Sequence, residues 1–225
     1  MIKILFGILS THERDGWHHP TITQFFSDMA HNNQDIGWNI VPIHQFIPAG
    51  GGRNVFCKQA ADTDADWICM IDNDMTLPQN LCDAVRNAPA DADIVCPQFY
   101  MWNQTELKLT LCWGVPTTAE EKKANNAVRR FEPGYHLLEK CGTGVIFIKP
   151  KIFKELAFPY FHYLYDESGC MTGTEDIQFV QAALRKGFKV YGTTYVKVGH
   201  NKTVDLQRMW EWGETFASRA EAATT

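Results

Sequence analysis

The sequence predicts an α/β fold with a mixed, mostly parallel sheet flanked by helices. The chain opens with a continuous apolar segment at 2–9, which indicates a buried strand. After Pro20, a favourable first position in a helix, apolar residues follow at helical spacing: Ile22, Phe25, Phe26 and Met29. Two more strands are predicted at 38–43 and 67–72, separated by a short helix that ends near residue 62. Strands separated by helices are expected to pair in parallel through right-handed crossovers.

In the middle of the chain, predicted strands and helices alternate less regularly. Pro78 is expected to open a helix whose apolar positions are Leu81, Val85 and Ala88. A fourth strand is predicted at 93–100. Short antiparallel segments are predicted at 99–103, 107–113 and 136–140. The polar segment 114–135 lacks an apolar face, so we expect a mobile loop or lid there.

Strand and helix patterns return after residue 141. A buried strand is predicted at 142–150 and a helix at 151–158. A second helix is predicted within 174–188, with Thr174 as its cap, acids in its first turn and basic residues in its last. The remaining predicted elements are strands at 188–191 and 194–198 and a helix at 205–219.

Composition limits the class of protein. The chain has 225 residues, of which 45% are hydrophobic, enough to bury a full core. Its net charge of −5 argues against broad attraction to nucleic acid or to an anionic membrane. Seven cysteines without a CxxC pair favour reduced thiols that pack as small hydrophobic residues. The first apolar segment is too short to span a membrane, so we expect a cytoplasmic protein.

An acid pair follows the strand predicted at 67–72. Asp72 and Asp74 flank Asn73, and strand alternation points both carboxylates to one side, where they repel unless a cation lies between them. Ligands of open α/β sheets bind beyond the carboxyl ends of strands. The pair therefore favours a divalent-cation site. The structural alternative is two acids that cap a turn and a helix.

Two later motifs carry further candidates. Glu175 and Asp176 lie at a predicted helix N-terminus, where a carboxylate either caps the helix or accepts a proton from an attacking hydroxyl. His200 follows the last predicted strand. Its imidazole can complete a metal site with carboxylate and phosphate oxygens, a mixture that suits Mn²⁺ as well as Mg²⁺. A lone histidine at such a position is also typical of an exposed surface.

Four segments, in chain order, resemble the motifs of GT-A fold, nucleotide-sugar-dependent glycosyltransferases. They are IDND (the family's DxD), GTGVIFIKP (its acceptor-side glycine-rich strand), TEDIQF (its ED motif) and VGH (its C-terminal metal-binding histidine). The resemblance spans essentially the whole chain and implies a Rossmann-like GT-A fold with a small antiparallel acceptor-side portion. It implies one domain over 1–225: a nucleotide-binding half at 1–98, an acceptor-side half at 99–204 and a C-terminal helix at 205–225.

The resemblance also implies roles for individual residues. Asp74 would ligate the metal directly, Asp72 would contact the ribose or reach the metal through water, and His200 would be the third metal contact. The metal would offset the charge that develops on the leaving nucleoside diphosphate. Asp176, or as second choice Glu175, would deprotonate the acceptor hydroxyl, with inversion at the anomeric carbon.

Further residues are expected to hold the two substrates. Those expected at the nucleotide sugar are Ser10, Thr11, Arg14, Arg53, Asp72 and Asn73. Arg53 belongs to GGGRN, which resembles the family's Arg-Asn element. Those expected on the acceptor side are Gly142, Thr143 and Gly144. The segment PIHQF lacks the acid that commonly follows the family's second strand, so the sequence defines the donor base less well than the metal.

The predicted function is transfer of a hexose-type sugar from a nucleoside diphosphate sugar to a hydroxyl, with Mn²⁺ or Mg²⁺ as cofactor. UDP-sugar is the expected donor, and the acceptor is a saccharide, a protein or a modified nucleotide. Three alternatives remain: a retaining transferase in which Glu175 and Asp176 orient the substrate, a sugar nucleotidyltransferase, and a non-catalytic nucleotide- or sugar-binding module. The segment ILSTHERDG lacks the glycine-rich, Arg-Lys phosphate signature of nucleotidyltransferases.

Overall fold

The computed structural model describes residues 1–10, 20–43, 49–103, 108–116, 131–201 and 210. The strands of these residues are β1 (Ile2–Leu9), β2 (Ile36–Ile43), β3 (Trp67–Asp72), β4 (Met75–Thr76), β5 (Ile94–Gln98), β6 (Tyr100–Asn103), β7 (Lys108–Leu111), β8 (Trp113–Gly114), β9 (Tyr135–Leu137), β10 (Lys140–Cys141), β11 (Val145–Ile148), β12 (Leu164–Tyr165), β13 (Met171–Gly173), β14 (Val190–Lys197) and β15 (Gly199–His200). The helices are α1 (Pro20–Asn32), α2 (Ala49–Ala60), α3 (Asp83–Arg86), α4 (Ile152–Glu155) and α5 (Glu175–Arg185).

A seven-stranded sheet has the order β2-β1-β3-β11-β5-β14-β9. Strand β1 pairs in parallel with β2 and β3, and β14 pairs in parallel with β5. Strand β11 runs antiparallel to both of its neighbours, and β9 runs antiparallel to β14. Five of the seven strands therefore run in one direction. The predicted α/β class with a mixed, mostly parallel sheet is confirmed.

Short antiparallel pairs lie outside this sheet; the segments predicted at 99–103 and 107–113 contribute to them, whereas β9, most of which comes from the segment predicted at 136–140, belongs to the seven-stranded sheet. The pairs are β6 with β7, β8 with β10, β12 with β13, and β4 with β15. Three of the four pairs come from the segment between β5 and α5. The last pair joins two distant parts of the chain, because β4 follows β3 directly and β15 follows β14.

The core is built by the apolar patterns read from the sequence. The four apolar positions predicted for α1 are its buried ones. Phe6 of β1 packs edge-on against the rings of Phe25 and Phe26, with centroids 6.0 and 5.1 Å away. Residues 68–71 and 145–148, in the central strands β3 and β11, are fully buried. This is the burial expected for strands covered on both faces.

Several predicted boundaries are wrong. The helix predicted from Pro78 is confined to α3, because the Leu81 and Asp83 N–H groups donate to carbonyls three residues earlier, as in turns. The strands predicted at 188–191 and 194–198 are one strand, β14, with a register shift against β5 after Thr193. The strand predicted at 142–150 begins at Val145, and the helix predicted at 151–158 is the single turn α4.

Because β1, β3, β5 and β14 are parallel, their carboxyl ends share one edge of the sheet, and the antiparallel β11 begins there. The candidate site forms at this edge. The helix predicted at 205–219, apart from Trp210, and the central part of the loop predicted at 114–135 lie outside the described residues. Within the described ranges, no helix is long and apolar enough to cross a membrane.

Candidate active site

The acid pair lies in a turn fixed on both sides by backbone hydrogen bonds. The Asp72 N–H donates to the Gly144 carbonyl at 2.8 Å, next to the start of β11. The Asn73 N–H donates to the Leu9 carbonyl, at the end of β1, at 3.0 Å. Asn73 is buried. The turn is therefore held between two neighbouring strands, and the sheet sets its orientation.

The structure brings Asp74 and His200 together. Strand β15 pairs with β4, with His200 opposite Met75. Asn201 reinforces this contact because its backbone N–H and its side-chain amide both donate to the Asp74 carbonyl at 2.9 Å. As a result, His200 Nε2 lies 3.5 Å from Asp74 Oδ2, and the two side chains are only 7% and 19% exposed. The C-terminal histidine thus meets the acid turn across β4.

This pair has the spacing of two ligands of one divalent ion. Ligand atoms lie about 2.1 Å from such an ion, which places neighbouring ligand atoms roughly 3.0–3.5 Å apart. His200 Nδ1 is buried, and no described residue forms a hydrogen bond with it. Among the described residues, no group of three His, Cys, Asp or Glu side chains could hold a metal. Asp74 and His200 therefore offer two protein ligands, and a metal bound there would need its other ligands from outside the described side chains.

Asp72, the third predicted metal ligand, has a different partner in the structure. Its Oδ1 accepts a hydrogen bond from Arg53 at 2.7 Å. Burial raises the pKa of the Asp72 carboxyl, and the nearby Arg53 guanidinium opposes that rise. The interaction of Asp72 with a metal or a ribose stays a prediction.

Arg53 itself is almost fully buried and lies between two carboxylates. One terminal nitrogen donates to Asp72 Oδ1 and the other to Glu175 Oε1, at 2.7 and 2.5 Å. Burial alone lowers the pKa of Arg53, but the carboxylates of Asp72 and Glu175 raise it above its usual value. The expected contact of Arg53 with the nucleotide stays a prediction.

Helix α5 presents its two acids in different environments. Glu175 is buried against Arg53, whereas Asp176 is half-buried. Asp176 Oδ1 accepts hydrogen bonds from the Ile177 N–H at 2.7 Å and from the Thr174 hydroxyl. Thr174 holds the predicted cap position, but its side chain makes no capping hydrogen bond to the helix. Its hydroxyl orients Asp176 instead.

The glycine-rich segment passes close to these side chains. A Cβ atom placed on Gly142 would lie 3.7 Å from Asp176 Oδ2 and 3.3 Å from the Phe99 ring. On Gly144 it would lie 3.1 Å from the Met75 side chain. Thr143 between them is buried. The tight packing accounts for glycine at both positions, and their expected role on the acceptor side stays a prediction.

The nucleotide contacts expected after β1 are described only in part. Ser10 is buried, and its N–H donates to the Ile43 carbonyl, at the end of β2, at 2.9 Å. Thr11 and Arg14 lie outside the described residues. Ser10 therefore lies at the same edge of the sheet as the acid turn, two strands from β11.

Sequence reasoning missed three residues that shape the site. The Phe99 ring lies edge-on to the His200 ring, with centroids 6.0 Å apart. Asn201 fixes the β4–β15 contact. Tyr163 lies near Glu175, and burial together with that carboxylate raises the pKa of Tyr163 to about 12. A signal existed for the first two, because Phe99 directly follows a buried strand and Asn201 is adjacent to His200.

Comparison with solved structures shows that the chain has a known fold. A197 from STIV matches with a TM-score of 0.54 and 17% identity over 90% of this chain and 87% of that chain. GalNAc-T7, solved with UDP, GalNAc and Mn²⁺, matches at 0.50 and 12% over 95% and 47%. A mutant Drosophila β1,4-galactosyltransferase 7, solved with manganese, UDP-Gal and xylobiose, matches at 0.50 and 14% over 90% and 72%.

No protein-family model and no curated protein matches the sequence. This chain spans less than half of the GalNAc-T7 chain that it matches. At these identities the likeness establishes the fold, which is a GT-A glycosyltransferase-like α/β fold.

Proposed function

We propose that this chain is a divalent-metal-dependent glycosyltransferase that moves a sugar from a nucleoside diphosphate sugar to a hydroxyl acceptor. The observation that carries the proposal is the contact between Asp74 and His200 at 3.5 Å, at the edge of the sheet where five strand ends meet. Two of the similar structures were solved with UDP or UDP-Gal and with manganese. Both support a UDP-sugar as donor and Mn²⁺ as cofactor.

Asp74 and His200 would hold the metal, and diphosphate oxygens of the donor would complete its coordination. When bound, the metal supplies positive charge that stabilises the leaving nucleoside diphosphate. Asp72 and Asn73 would lie beside the ribose and diphosphate, and Ser10 would lie near the base. The proposal keeps 1–98 as the nucleotide-binding half of a single domain and 99–204 as its acceptor-side half.

Asp176 would act as the general base. Its carboxylate takes the proton of the acceptor hydroxyl while that oxygen forms a bond to the anomeric carbon. The bond from the anomeric carbon to the phosphate oxygen breaks on the opposite side, so the configuration inverts. Thr174 and the Ile177 N–H hold one oxygen of Asp176, which leaves Oδ2, on the side of Gly142, for the acceptor.

Ligand-dependent thermal stability tests the proposal, because a ligand that binds the folded state raises Tm by mass action. A panel of nucleotide sugars is added with and without Mn²⁺. At about 100 times its Kd, the cognate donor stabilises by roughly 2.7 kcal/mol, which raises Tm by about 5–10 °C for a chain of this size. The increase is expected to need Mn²⁺.

Asp74→Ala and His200→Ala are expected to abolish the Mn²⁺-dependent increase, together with any donor hydrolysis or transfer. His31→Ala is the control, since His31 is exposed on α1 and bonds the Ser27 carbonyl far from the site. Absence of binding by every donor contradicts the proposal. Metal-dependent donor binding without hydrolysis or transfer to any acceptor would instead support the alternative of a non-catalytic nucleotide- or sugar-binding module.

A further inference from the structure

Arg53 links two parts of the site that are distant in sequence. Asp72 ends strand β3, whereas Glu175 begins helix α5, and both bind the same guanidinium. A guanidinium has a planar fork of donors that can serve two carboxylates at once, which the single ammonium of a lysine cannot reproduce. The position of α5 is therefore tied to the acid turn through one buried cation.

Two further residues of α2, Asn54 and Gly50, also hold α2 against the segment that precedes β12 and against the start of α5. The Asn54 side chain donates to the Phe161 carbonyl at 2.7 Å and accepts from the Phe161 N–H at 2.9 Å. Gly50 allows close approach, because a Cβ atom there would lie 3.4 Å from both the Glu175 side chain and the Phe161 carbonyl oxygen. Helix α2 is thus attached both to the segment that precedes β12 and to the first residue of α5.

We infer that Arg53 is a positioning residue, and that Glu175 is its fixed counter-charge rather than the base of the reaction. The buried pair holds the first turn of α5, and with it Asp176, at a set distance from the acid turn. Glu175 is buried and its Oε1 is bound by Arg53, whereas Asp176 is half-buried with Oδ2 on the side of Gly142, so Asp176 takes the proton. The catalytic part of this inference rests on the proposed function, whereas the ion-pair part does not.

The ion-pair part is tested by thermal unfolding without ligands. In the wild type, Glu175→Gln removes a carboxylate from a buried cation, and we expect Tm to fall. In an Arg53→Met background the buried Glu175 carboxylate and the partly exposed Asp72 carboxylate lose their common cation, so the same substitution is expected to raise Tm. This reversal of sign is the result that the inference requires.

Arg53→Lys covers the case in which Arg53→Met fails to fold. Lysine lacks the planar fork with which Arg53 binds both carboxylates, so Glu175→Gln is expected to lower Tm less in this background than in the wild type. Arg86→Lys is the matched control background, where Glu175→Gln should change Tm as in the wild type. Equal effects of Glu175→Gln in every background would overturn the inference.

The catalytic part is tested by steady-state kinetics of sugar transfer. We expect Glu175→Gln to lower kcat by less than about tenfold and Asp176→Asn by at least about 10²-fold, the scale of general-base catalysis. A loss in Glu175→Gln as large as in Asp176→Asn overturns the assignment. If the wild type transfers no sugar from any donor, the proposed function fails, while the thermal result still decides whether Arg53 and Glu175 form a stabilising ion pair.

Discussion

Two arginines of this chain make the same kind of contact in different surroundings. Arg86, at the end of α3, donates to Asp35 at 2.7 and 2.8 Å and also contacts Asp83 and Asn33. Arg53 likewise lies between two carboxylates. The Arg86 side chain is 27% exposed, whereas that of Arg53 is 5% exposed.

The two arginines differ in whether water can solvate their carboxylate partners once the arginine is removed. When an exposed cation is removed, water solvates its former partners, so exposed ion pairs contribute little to stability. When a buried cation such as Arg53 is removed, a buried partner, here Glu175, remains charged in a region of low dielectric constant, which is strongly destabilising. We therefore expect the contacts of Arg86, whose side chain is partly exposed, to contribute less to stability than those of Arg53.

The largest expected effect is on stability, in Arg53→Met. Removing one member of a buried ion pair costs about 3–5 kcal/mol, which corresponds to a fall in Tm of roughly 6–20 °C for a chain of this length. Arg86→Met should produce a clearly smaller fall. Thermal unfolding of both variants at neutral pH measures the difference, and equal falls would break the distinction between the two arginines.

Next in size is the effect of Asp176→Asn on catalysis. We expect kcat to fall by at least about 10²-fold because the base is lost, with donor binding and Tm close to wild type. Asp83→Asn at the Arg86 cluster is the control and should leave kcat unchanged. Initial rates of sugar transfer at saturating donor test this, and a normal rate in Asp176→Asn places the base elsewhere.

Asn54→Ala should destabilise through unpaired backbone groups. It leaves the buried N–H and carbonyl of Phe161 without partners, at about 1–3 kcal/mol for each group. Asn33→Ala is the matched substitution at Arg86, which keeps its two carboxylate partners, so its effect should be smaller. The midpoint of urea unfolding at unchanged m-value measures both, and a larger loss in Asn33→Ala would contradict this account of α2.

The smallest effect concerns the exposed pair and depends on pH and salt. Arg86 holds the pKa of Asp35 below its usual 3.8, mainly through their hydrogen bond. The stability that Asp35 contributes is therefore present above pH 3.8 and is lost as the pH falls through the lowered pKa. The Tm difference between wild type and Asp35→Asn should vanish at low pH and shrink at high salt. A difference that persists in acid would rule out the ion pair as its source.

Much of the fold follows from local pattern. Strand β3 has the predicted bounds, and the buried positions of α1 are the predicted ones, because an apolar run or a helical spacing is visible within a few residues. The predicted boundaries are wrong for the single turns α3 and α4 and for the continuous strand β14, because the limits of these elements depend on hydrogen bonds to distant segments. Strand β11 was located from its apolar run, but nothing local indicated its antiparallel direction.

The candidate site was likewise predictable only where its residues form local sequence motifs. The residue types of the acid turn, the α5 acids and His200 were recognisable because they form motifs. The pairing of Arg53 with Glu175 was not, because the two residues are 122 positions apart and only the folded chain brings them together. The expectation of Asp72 as a metal ligand also took no account of Arg53. Motifs thus indicated which residues matter, while the sheet and the buried ion pair set their geometry.

The central claim is that Asp74 and His200 hold one metal ion through which the protein binds a diphosphate. A crystal grown with Mn²⁺ and UDP, with diffraction measured where manganese scatters anomalously, tests it most directly. The account predicts one anomalous peak within about 2.5 Å of an Asp74 carboxylate oxygen and of His200 Nε2, also bound by the diphosphate. A peak elsewhere, or none while UDP is bound, would contradict it.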